Sequence, residues 1–270
     1  MKRTLFLVGF VLVAQCQCHE DDSNVVSVNG TGWIKGEHRQ NSLYEDSQYF
    51  AFHGIRYAEP PINNLRFQLP VPYSPSKYGN KSNPYDASDP YVNEIGFVCP
   101  QLEDTSSIFI GSTNEDCLHL SIYSPKINPS TDDSLYPVLV WIHGGHFTSG
   151  SGMHQYYGPE RFMKDNDIVM VSINYRLGTL GFLSLGTAEL PGNAGLWDQV
   201  EALKWIQTNI QYFGGDNGKV TIMGESAGSW SVMYQLLSPA SAGLFQRVIS
   251  QSGTPMSPAY HEYTQDKANE

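Results

Sequence analysis

The sequence predicts an α/β fold in which a central, mostly parallel sheet is flanked by helices. Four short apolar runs, rich in β-branched residues and each ending at glycine or polar residues, are typical of strands buried on both faces. Segments with helical periodicity separate the later runs, and strands that alternate with helices indicate parallel pairing. The four runs lie at 138–142, 168–173, 220–223 and 247–250.

Two helices and a loop-rich amino-terminal region complete this prediction. Apolar residues recur every three or four positions over 196–213, and the Gly214-Gly215 pair ends that helix. A second helix is predicted over 226–237, where Ser238-Pro239 stops it. Because apolar residues surround most of its circumference, we expect this second helix to be buried. Residues 19–135, rich in Pro, Asn, Ser and Tyr, predict short strands and long loops without a long amphipathic helix.

Composition and charge narrow the function classes. Hydrophobic residues make up 40% of the 270 residues and charged residues 16%, which favours a globular core over disorder. Sixteen Lys and Arg against 27 Asp and Glu give a net charge of −11, so we expect no nucleic-acid partner. No spacing of His, Cys, Asp and Glu suggests a metal site, and no glycine-rich turn has a dinucleotide or P-loop pattern. We therefore expect no metal and no cofactor.

The amino-terminal segment has the three parts of a secretory signal peptide. Basic residues at 2–3 precede an apolar run at 5–14, and Cys16-Gln17-Cys18 supplies small residues for cleavage. The apolar run is shorter than the roughly 20 residues that a membrane-spanning helix needs, so we expect no membrane span. The sequence therefore predicts a signal peptide at 1–18 and a secreted domain at 19–270.

Two further features agree with a secretory route. Cleavage after Cys18 leaves two cysteines, Cys99 and Cys117, which predict a disulfide in an oxidising compartment. Sequons at Asn29 and Asn80 predict N-glycosylation. We therefore expect a secreted, extracellular glycoprotein.

The pentapeptide Gly224-Glu225-Ser226-Ala227-Gly228 lies directly between the third apolar run and the second helix. A Gly-x-Ser-x-Gly turn between a strand and a helix is the nucleophile elbow of α/β hydrolases, in which the serine occupies a strained turn. Its neighbours two positions away must lack bulk, as Gly224 and Gly228 do. The helix N-terminus also favours developing negative charge. We expect Ser226 to be a catalytic nucleophile; the alternative is a tight turn without catalysis.

A second glycine-rich turn, His143-Gly144-Gly145-His146, follows the first apolar run. Such a turn can aim backbone N–H groups at an oxyanion, and the N–H of the residue after the nucleophile, here Ala227, joins them. The alternative interpretation is a plain loop. The turn lies ahead of the nucleophile elbow in the chain, which favours the interpretation as part of an oxyanion hole.

The order of these motifs resembles that of the type-B carboxylesterases, the family that includes cholinesterases, juvenile hormone esterases and neuroligins. The resemblance runs from about residue 28 to residue 253. It is carried by GIRYAEPP at 54–61, LRF at 65–67, EDCL at 115–118, NYRLG at 174–178, GNAGLWDQ at 192–199 and FGGD at 213–216.

The resemblance implies an α/β-hydrolase fold, of which 19–270 is the amino-terminal part, and a small-molecule carboxylic ester as substrate. It also implies a Cys99–Cys117 disulfide and a buried ion pair between Arg66 and Glu115. The oxyanion hole would consist of the N–H groups of three residues, namely Gly145, His146 and Ala227. Cholinesterases hold choline on a tryptophan inside the first disulfide loop, and residues 100–116 contain none, which disfavours that branch.

His146 departs from the family pattern, which has glycine at this position. Two interpretations stay open: a tolerated side chain that points away from the serine, or one that narrows the acyl site or acts as a second base on the acyl-enzyme. An imidazole titrates near neutral pH, as the second role requires.

The catalytic triad is unfinished in this chain. In the fold the order is Ser, then Asp or Glu, then His, each after a later strand. Only 44 residues follow Ser226, and they hold His261, Glu262, Asp266 and Glu270 in a polar tail with the histidine ahead of the acids. We expect none of these four to complete the triad, and the acid and histidine to lie beyond residue 270.

Three functions therefore compete. The leading one is hydrolysis of carboxylic esters through a serine acyl-enzyme. The first rival is a non-catalytic adhesion or binding protein of the neuroligin kind, although such members usually lose the serine. The second is an inactive truncated product, in which the apolar strand at 247–250 would be an exposed, aggregation-prone edge.

Overall fold

The computed structural model describes residues 24–88, 98–101, 113–152, 158–165 and 167–254. The predicted signal peptide at 1–18 and the four candidate triad residues at 261–270 lie outside the described residues. None of the helices in the described part of the chain is long and apolar enough to cross a bilayer.

Eleven strands and three α-helices make up the described fold. The strands are β1 (Val25–Val28), β2 (Gly32–Lys35), β3 (Glu37–Gln40), β4 (Gln48–Arg56), β5 (Gly79–Asn80), β6 (Asn83–Asp86), β7 (His119–Ser124), β8 (Tyr136–Ile142), β9 (Val169–Ile173), β10 (Gly215–Glu225) and β11 (Arg247–Gln251). The helices are α1 (Gly178–Phe182), α2 (Ala194–Asn209) and α3 (Ala227–Leu237), with short 3-10 helices at Asn63–Leu65, Pro75–Tyr78, Ile210–Phe213 and Pro239–Ser241.

The main sheet has seven strands in the order β11-β10-β8-β9-β7-β4-β3, and a separate four-stranded sheet has the order β1-β2-β6-β5. Pairing is parallel from β11 to β9 and antiparallel from β9 to β3. The sheet is therefore mixed, and the parallel prediction holds for the half that carries the four apolar runs. Parallel neighbours need long crossovers, which the chain supplies between β8, β9, β10 and β11, whereas β3 and β4 are joined by a short turn.

All four predicted strands and both predicted helices are present. The longer helix, α2, continues as the 3-10 helix Ile210–Phe213 and ends at Gly214, whose φ of +82° is the left-handed conformation that glycine adopts readily. Its residues Leu203 and Ile206 pack in one large core with the strand residues Val140 and Val171. A smaller apolar cluster contains Tyr123, Trp141 and Met170, from β7, β8 and β9.

Two burial predictions fail wholly or in part at one end of the sheet. Helix α3 is buried all round over residues 227–232, as predicted, but at its carboxyl end Leu236 and Leu237 are 53% and 69% exposed. Strand β11 is exposed or half-buried throughout, and Ile249 is 42% exposed. The reason is its place in the sheet: β11 is the edge strand, and among the described residues it pairs with β10 alone.

The predicted disulfide between Cys99 and Cys117 is formed, and both residues are buried. The ion pair between Arg66 and Glu115 is also formed, with Nε donating to Oε2 at 2.6 Å and a terminal nitrogen donating to Oε1 at 2.8 Å. The expectation that this pair is buried is wrong, because its side chains are 41% and 30% exposed. Both residues belong to surface turns rather than to a sheet or a long helix, so water reaches the charges.

Candidate active site

The carboxyl ends of the parallel strands bring the candidate site together. Strands β8, β9, β10 and β11 run in the same direction, so the residues that follow them meet at one edge of the sheet. In open α/β sheets, ligands bind at this edge. The glycine turn (residues 143–149) follows β8, and Ser226 follows β10.

Ser226 lies in a strained turn between β10 and α3. Its φ of 54° and ψ of −121° place a non-glycine residue in a sparsely populated backbone conformation. Neighbouring backbone holds this conformation: the N–H of Ser226 donates to the carbonyl of Gln251 at 2.9 Å, and its carbonyl accepts from the N–H of Trp230 at 3.1 Å. The turn therefore has the geometry that the Gly-x-Ser-x-Gly pattern predicts.

The two glycines of the pentapeptide are required by close backbone contacts. A Cβ on Gly224 would lie 2.3 Å from the carbonyl carbon of Gly228. A Cβ on Gly228 would lie 2.1 Å from the carbonyl oxygen of Ile142, at the end of β8. Both distances are far shorter than a non-bonded contact, so α3 can approach β8 only where side chains are absent.

The glycine turn lies directly beside Ser226. A Cβ on Gly144 would be 3.2 Å from the Cβ of Ser226, which makes the two backbones neighbours. The turn is tight because the carbonyl of Gly145 accepts from the N–H groups of Thr148 and Ser149, each at 3.0 Å. Ala227 is the buried first residue of α3, where N–H groups have no carbonyl partner inside the helix.

The backbone of the turn explains why glycine suits position 146. His146 has a φ of 57° and the next residue, Phe147, a φ of 60°, both in the left-handed region that costs a non-glycine residue about 1–2 kcal/mol. The side chain of His146 is exposed to solvent. Exposure allows either interpretation of this side chain, the tolerated one or the one with a role in the acyl site.

His143, at the start of the turn, has a packing role. It is 1% exposed and stacks on the ring of Tyr175 with 4.4 Å between the ring centroids. Tyr175 also donates its hydroxyl to the carbonyl of His143 at 2.9 Å. The end of β9 thereby fixes the turn that follows β8.

A buried ion pair joins the end of β9 to α2, and the sequence analysis did not single it out. Arg176 donates from Nε and from a terminal nitrogen to the two carboxylate oxygens of Asp198, each at 2.7 Å. The two side chains are 3% and 0% exposed. Burial raises the pKa of Asp198, and the charge and hydrogen bonds of Arg176 oppose that rise. Both residues lie in motifs that carry the family resemblance, and this could have identified them as a pair from the sequence.

Aromatic side chains anchor the turn on its far side. The ring of Phe147 lies 5.1 Å from that of Phe182 in α1 and 6.3 Å from that of Trp230 in α3. The N–H of Gly178 donates to the carbonyl of Phe147 at 2.7 Å. The glycine turn is therefore held between both helices, which the sequence pattern alone did not indicate.

The proton-transfer partners of Ser226 are not among the residues that follow it in the described chain. Residues 227–254 contain no Asp, Glu or His. Among the described residues, no group of three or more His, Cys, Asp and Glu side chains is arranged to hold a metal ion. The described site thus consists of the serine, its turn and the glycine turn.

Comparison with known proteins identifies the family of the chain. The carboxylesterase family model matches residues 22–270. The chain is 46% identical over 211 residues to a juvenile hormone esterase of Tribolium castaneum, covering 77% of this chain and 33% of that protein. It is 47% identical over 213 residues to esterase FE4 of Myzus persicae, covering 78% of this chain and 35% of that protein.

A solved structure shares the fold. The crystal structure of juvenile hormone esterase from Manduca sexta, with OTFP covalently attached, superimposes with a TM-score of 0.75 and 39% identity, covering 85% of this chain and 41% of that chain. The chain spans about a third of the length of the curated relatives it matches. With an α/β-hydrolase fold and a family match over nearly its whole length, the chain belongs to the type-B carboxylesterase family.

Proposed function

We propose that the protein is a carboxylic ester hydrolase that works through a serine acyl-enzyme, with Ser226 as its nucleophile. The observation that carries the proposal is the strained backbone of Ser226, held between β10 and α3 and directly beside Gly144. Such strain is costly and persists where the surrounding structure enforces it, typically at functional sites.

In this mechanism, the Ser226 hydroxyl attacks the ester carbonyl and forms a tetrahedral oxyanion. The N–H groups of Gly145, His146 and Ala227 would stabilise that oxyanion, which is often the largest single contribution to catalysis. Collapse of the intermediate expels the alcohol and leaves the acyl group on Ser226, and water then releases the acid. A histidine oriented by a carboxylate accepts the serine proton in this reaction class.

The substrate class is a small-molecule carboxylic ester. The relatives of Tribolium castaneum and Manduca sexta are named juvenile hormone esterases, while that of Myzus persicae is named esterase FE4. The identities of 46% to the juvenile hormone esterase and 47% to esterase FE4 are nearly equal, so they favour neither kind of esterase. The proposal therefore stays at the level of carboxylic esters.

Secretion is part of the proposal. The signal-peptide pattern at 1–18 and the buried Cys99–Cys117 disulfide support an oxidising route. Asn29 lies in an exposed turn and Asn80 is the exposed last residue of β5, so both positions can accommodate glycans. Mass spectrometry of the protein from the medium of a secreting host tests these points, because cleavage after Cys18 and glycans on both asparagines are expected. A retained amino terminus or unmodified asparagines would contradict them.

The test of the enzymatic role uses the protein expressed from its complete coding sequence and a chromogenic acetate ester. Ser226→Ala should reduce the turnover number by several orders of magnitude. The matched control is Ser252→Ala. Ser252 follows β11 at the same edge of the sheet, is exposed, and like Ser226 has a positive φ, of 61°. Equal activity in wild type and Ser226→Ala would contradict Ser226 as the nucleophile, and a folded wild type without activity would favour a binding protein.

A further inference from the structure

The backbone of the glycine turn is strained, so neighbouring groups must hold it in its conformation. Gly145, His146 and Phe147 all have positive φ values, of 104°, 57° and 60°. For the two non-glycine residues this conformation persists only if flanking groups enforce it. Tyr175 and the aromatic rings near Phe147 act on one side of the turn. A separate contact acts at its carboxyl end.

That contact is a side-chain amide paired with the main chain of Gly150. Gln101 donates from Nε2 to the carbonyl of Gly150 at 2.9 Å, and its Oε1 accepts from the N–H of Gly150 at 2.9 Å. The same Nε2 donates to the carbonyl of Cys99 at 3.1 Å. Cys99 is itself tied by its disulfide to Cys117, so the amide that holds Gly150 is anchored to a covalent cross-link.

Gly150 transmits this restraint to the site through direct contact. A Cβ on Gly150 would lie 2.5 Å from Nδ1 of His143 and 2.6 Å from the carbonyl oxygen of Gly144. The backbone of Gly150 therefore packs against the start of the glycine turn. Gly144 in turn lies beside Ser226. Movement of Gly150 would displace the N–H groups next to the serine.

We propose that Gln101 is a positioning residue that fixes the glycine turn for oxyanion binding, through its paired hydrogen bonds to Gly150. The inference rests on the proposed function, since it assigns Gln101 a part in that same site. Gln101 does not touch the reacting atoms; it acts through Gly150 and Gly144. A displacement of about 1 Å at catalytic groups can cost up to a hundredfold in rate.

The first test is Gln101→Met, which keeps the length of the side chain and removes all three hydrogen bonds. In the protein expressed from its complete coding sequence, the turnover number for an acetate ester should fall tenfold or more while KM changes less than twofold. The matched control is Gln207→Met. Nε2 of Gln207 also donates to two main-chain carbonyls, those of Asn217 and Leu244, but Asn217 is at the opposite end of β10 from the serine. This control should keep wild-type turnover.

The second test is Gln101→Glu, whose pH profile separates positioning from general stability. The carbonyl oxygens of Gly150 and Cys99 disfavour an anion beside them, so the pKa of this carboxyl should rise above its usual value of about 4.3 and leave much of it neutral at pH 5. A neutral carboxylic acid donates one hydrogen bond and accepts another, so it can replace the pairing with Gly150. At pH 8 the carboxylate cannot donate and faces the carbonyl oxygens of Gly150 and Cys99. The turnover of this variant relative to wild type should therefore fall about tenfold from pH 5 to pH 8.

Hydrogen exchange gives a readout that needs no substrate. The amides of residues 144–150 should exchange faster in Gln101→Met than in wild type. Wild-type turnover and exchange in Gln101→Met would overturn the inference while leaving the proposed function intact. If Gln101→Met does not fold, a flat relative pH profile of Gln101→Glu would overturn it instead. A wild-type protein with no esterase activity would overturn the proposed function, and this inference with it.

Discussion

Asp198 accepts three hydrogen bonds from Arg176, two from the guanidinium at 2.7 Å and one from the main-chain N–H at 3.0 Å. The pair ties the end of β9 to α2 in an interior where neither side chain reaches water. A buried charge that loses its partner is strongly destabilising, typically by about 3–5 kcal/mol.

Asp198→Asn should therefore lower the free energy of unfolding by about 3–5 kcal/mol, as measured by urea denaturation. The control is Asp216→Asn, which weakens the exposed pair between Asp216 and Lys219 and should cost less than about 1 kcal/mol. Equal losses in the two variants would show that the buried pair has no special role.

The left-handed backbone of His146 predicts an unusual order of stability. His146→Gly should be more stable than His146→Ala by about 1 kcal/mol, because alanine keeps the strain that glycine relieves. Thermal unfolding of the two variants measures the difference. The reverse order, with alanine more stable, would contradict the assigned backbone conformation.

The same substitution separates the two interpretations of the imidazole. Because the main-chain N–H of residue 146 would bind the oxyanion of both steps alike, His146→Gly should change the acylation and deacylation rates by the same factor. Pre-steady-state kinetics with an activated ester measures both rates. Selective slowing of deacylation would instead identify His146 as a second base on the acyl-enzyme.

The buried His119 should make the free energy of unfolding sensitive to acid. Burial, and then the nearby charge of Arg56, lower its pKa from 6.5 to about 3. Because the unfolded chain binds this proton more tightly, the stabilisation is complete above pH 6.5 and is lost as pH falls towards 3, with a slope of up to about 1.4 kcal/mol per pH unit. His119→Leu should flatten the fall in the free energy of unfolding between pH 6 and pH 4. The exposed His38, replaced by Leu, is the control, and its curve should match wild type.

The close approach of α3 to β8 predicts the effect of one added methyl group. Gly228→Ala would place its Cβ 2.1 Å from the carbonyl oxygen of Ile142, so the helix must shift and the elbow with it. We expect a loss of about 1–3 kcal/mol in stability and at least tenfold in turnover. Gly218→Ala is the control, because its nearest contact is a flexible carboxylate at 3.1 Å. Wild-type turnover in Gly228→Ala would contradict the close contact.

The elements that the sequence predicted well are those whose signal is local. The continuous β-branched runs mark the strands β8, β9 and β10, of which β9 is buried throughout, and the pentapeptide around Ser226 marks the turn between a strand and a helix. In each case the sequence signal lies within a few neighbouring residues, although the carbonyl of Gln251 also holds the turn of Ser226. The strained φ of Ser226 is accordingly the feature that the pattern anticipated best.

The features that escaped the sequence depend on partners far away along the chain. Ile249 has the same local pattern as a buried strand residue, and its exposure follows from the edge position of β11 in the sheet. Gln101 and Gly150 are separated by 49 residues, so no short motif signals their pairing. The Arg66–Glu115 pair was anticipated by resemblance, but its exposure depends on how two surface turns meet.

The most direct test of the central claim is covalent labelling by a fluorophosphonate probe, followed by peptide mapping. Ser226 of the protein expressed from its complete coding sequence should carry the adduct, and Ser226→Ala should remain unlabelled while Ser252→Ala labels like wild type. An adduct on another residue, or a folded wild-type protein that does not react, would contradict Ser226 as the nucleophile.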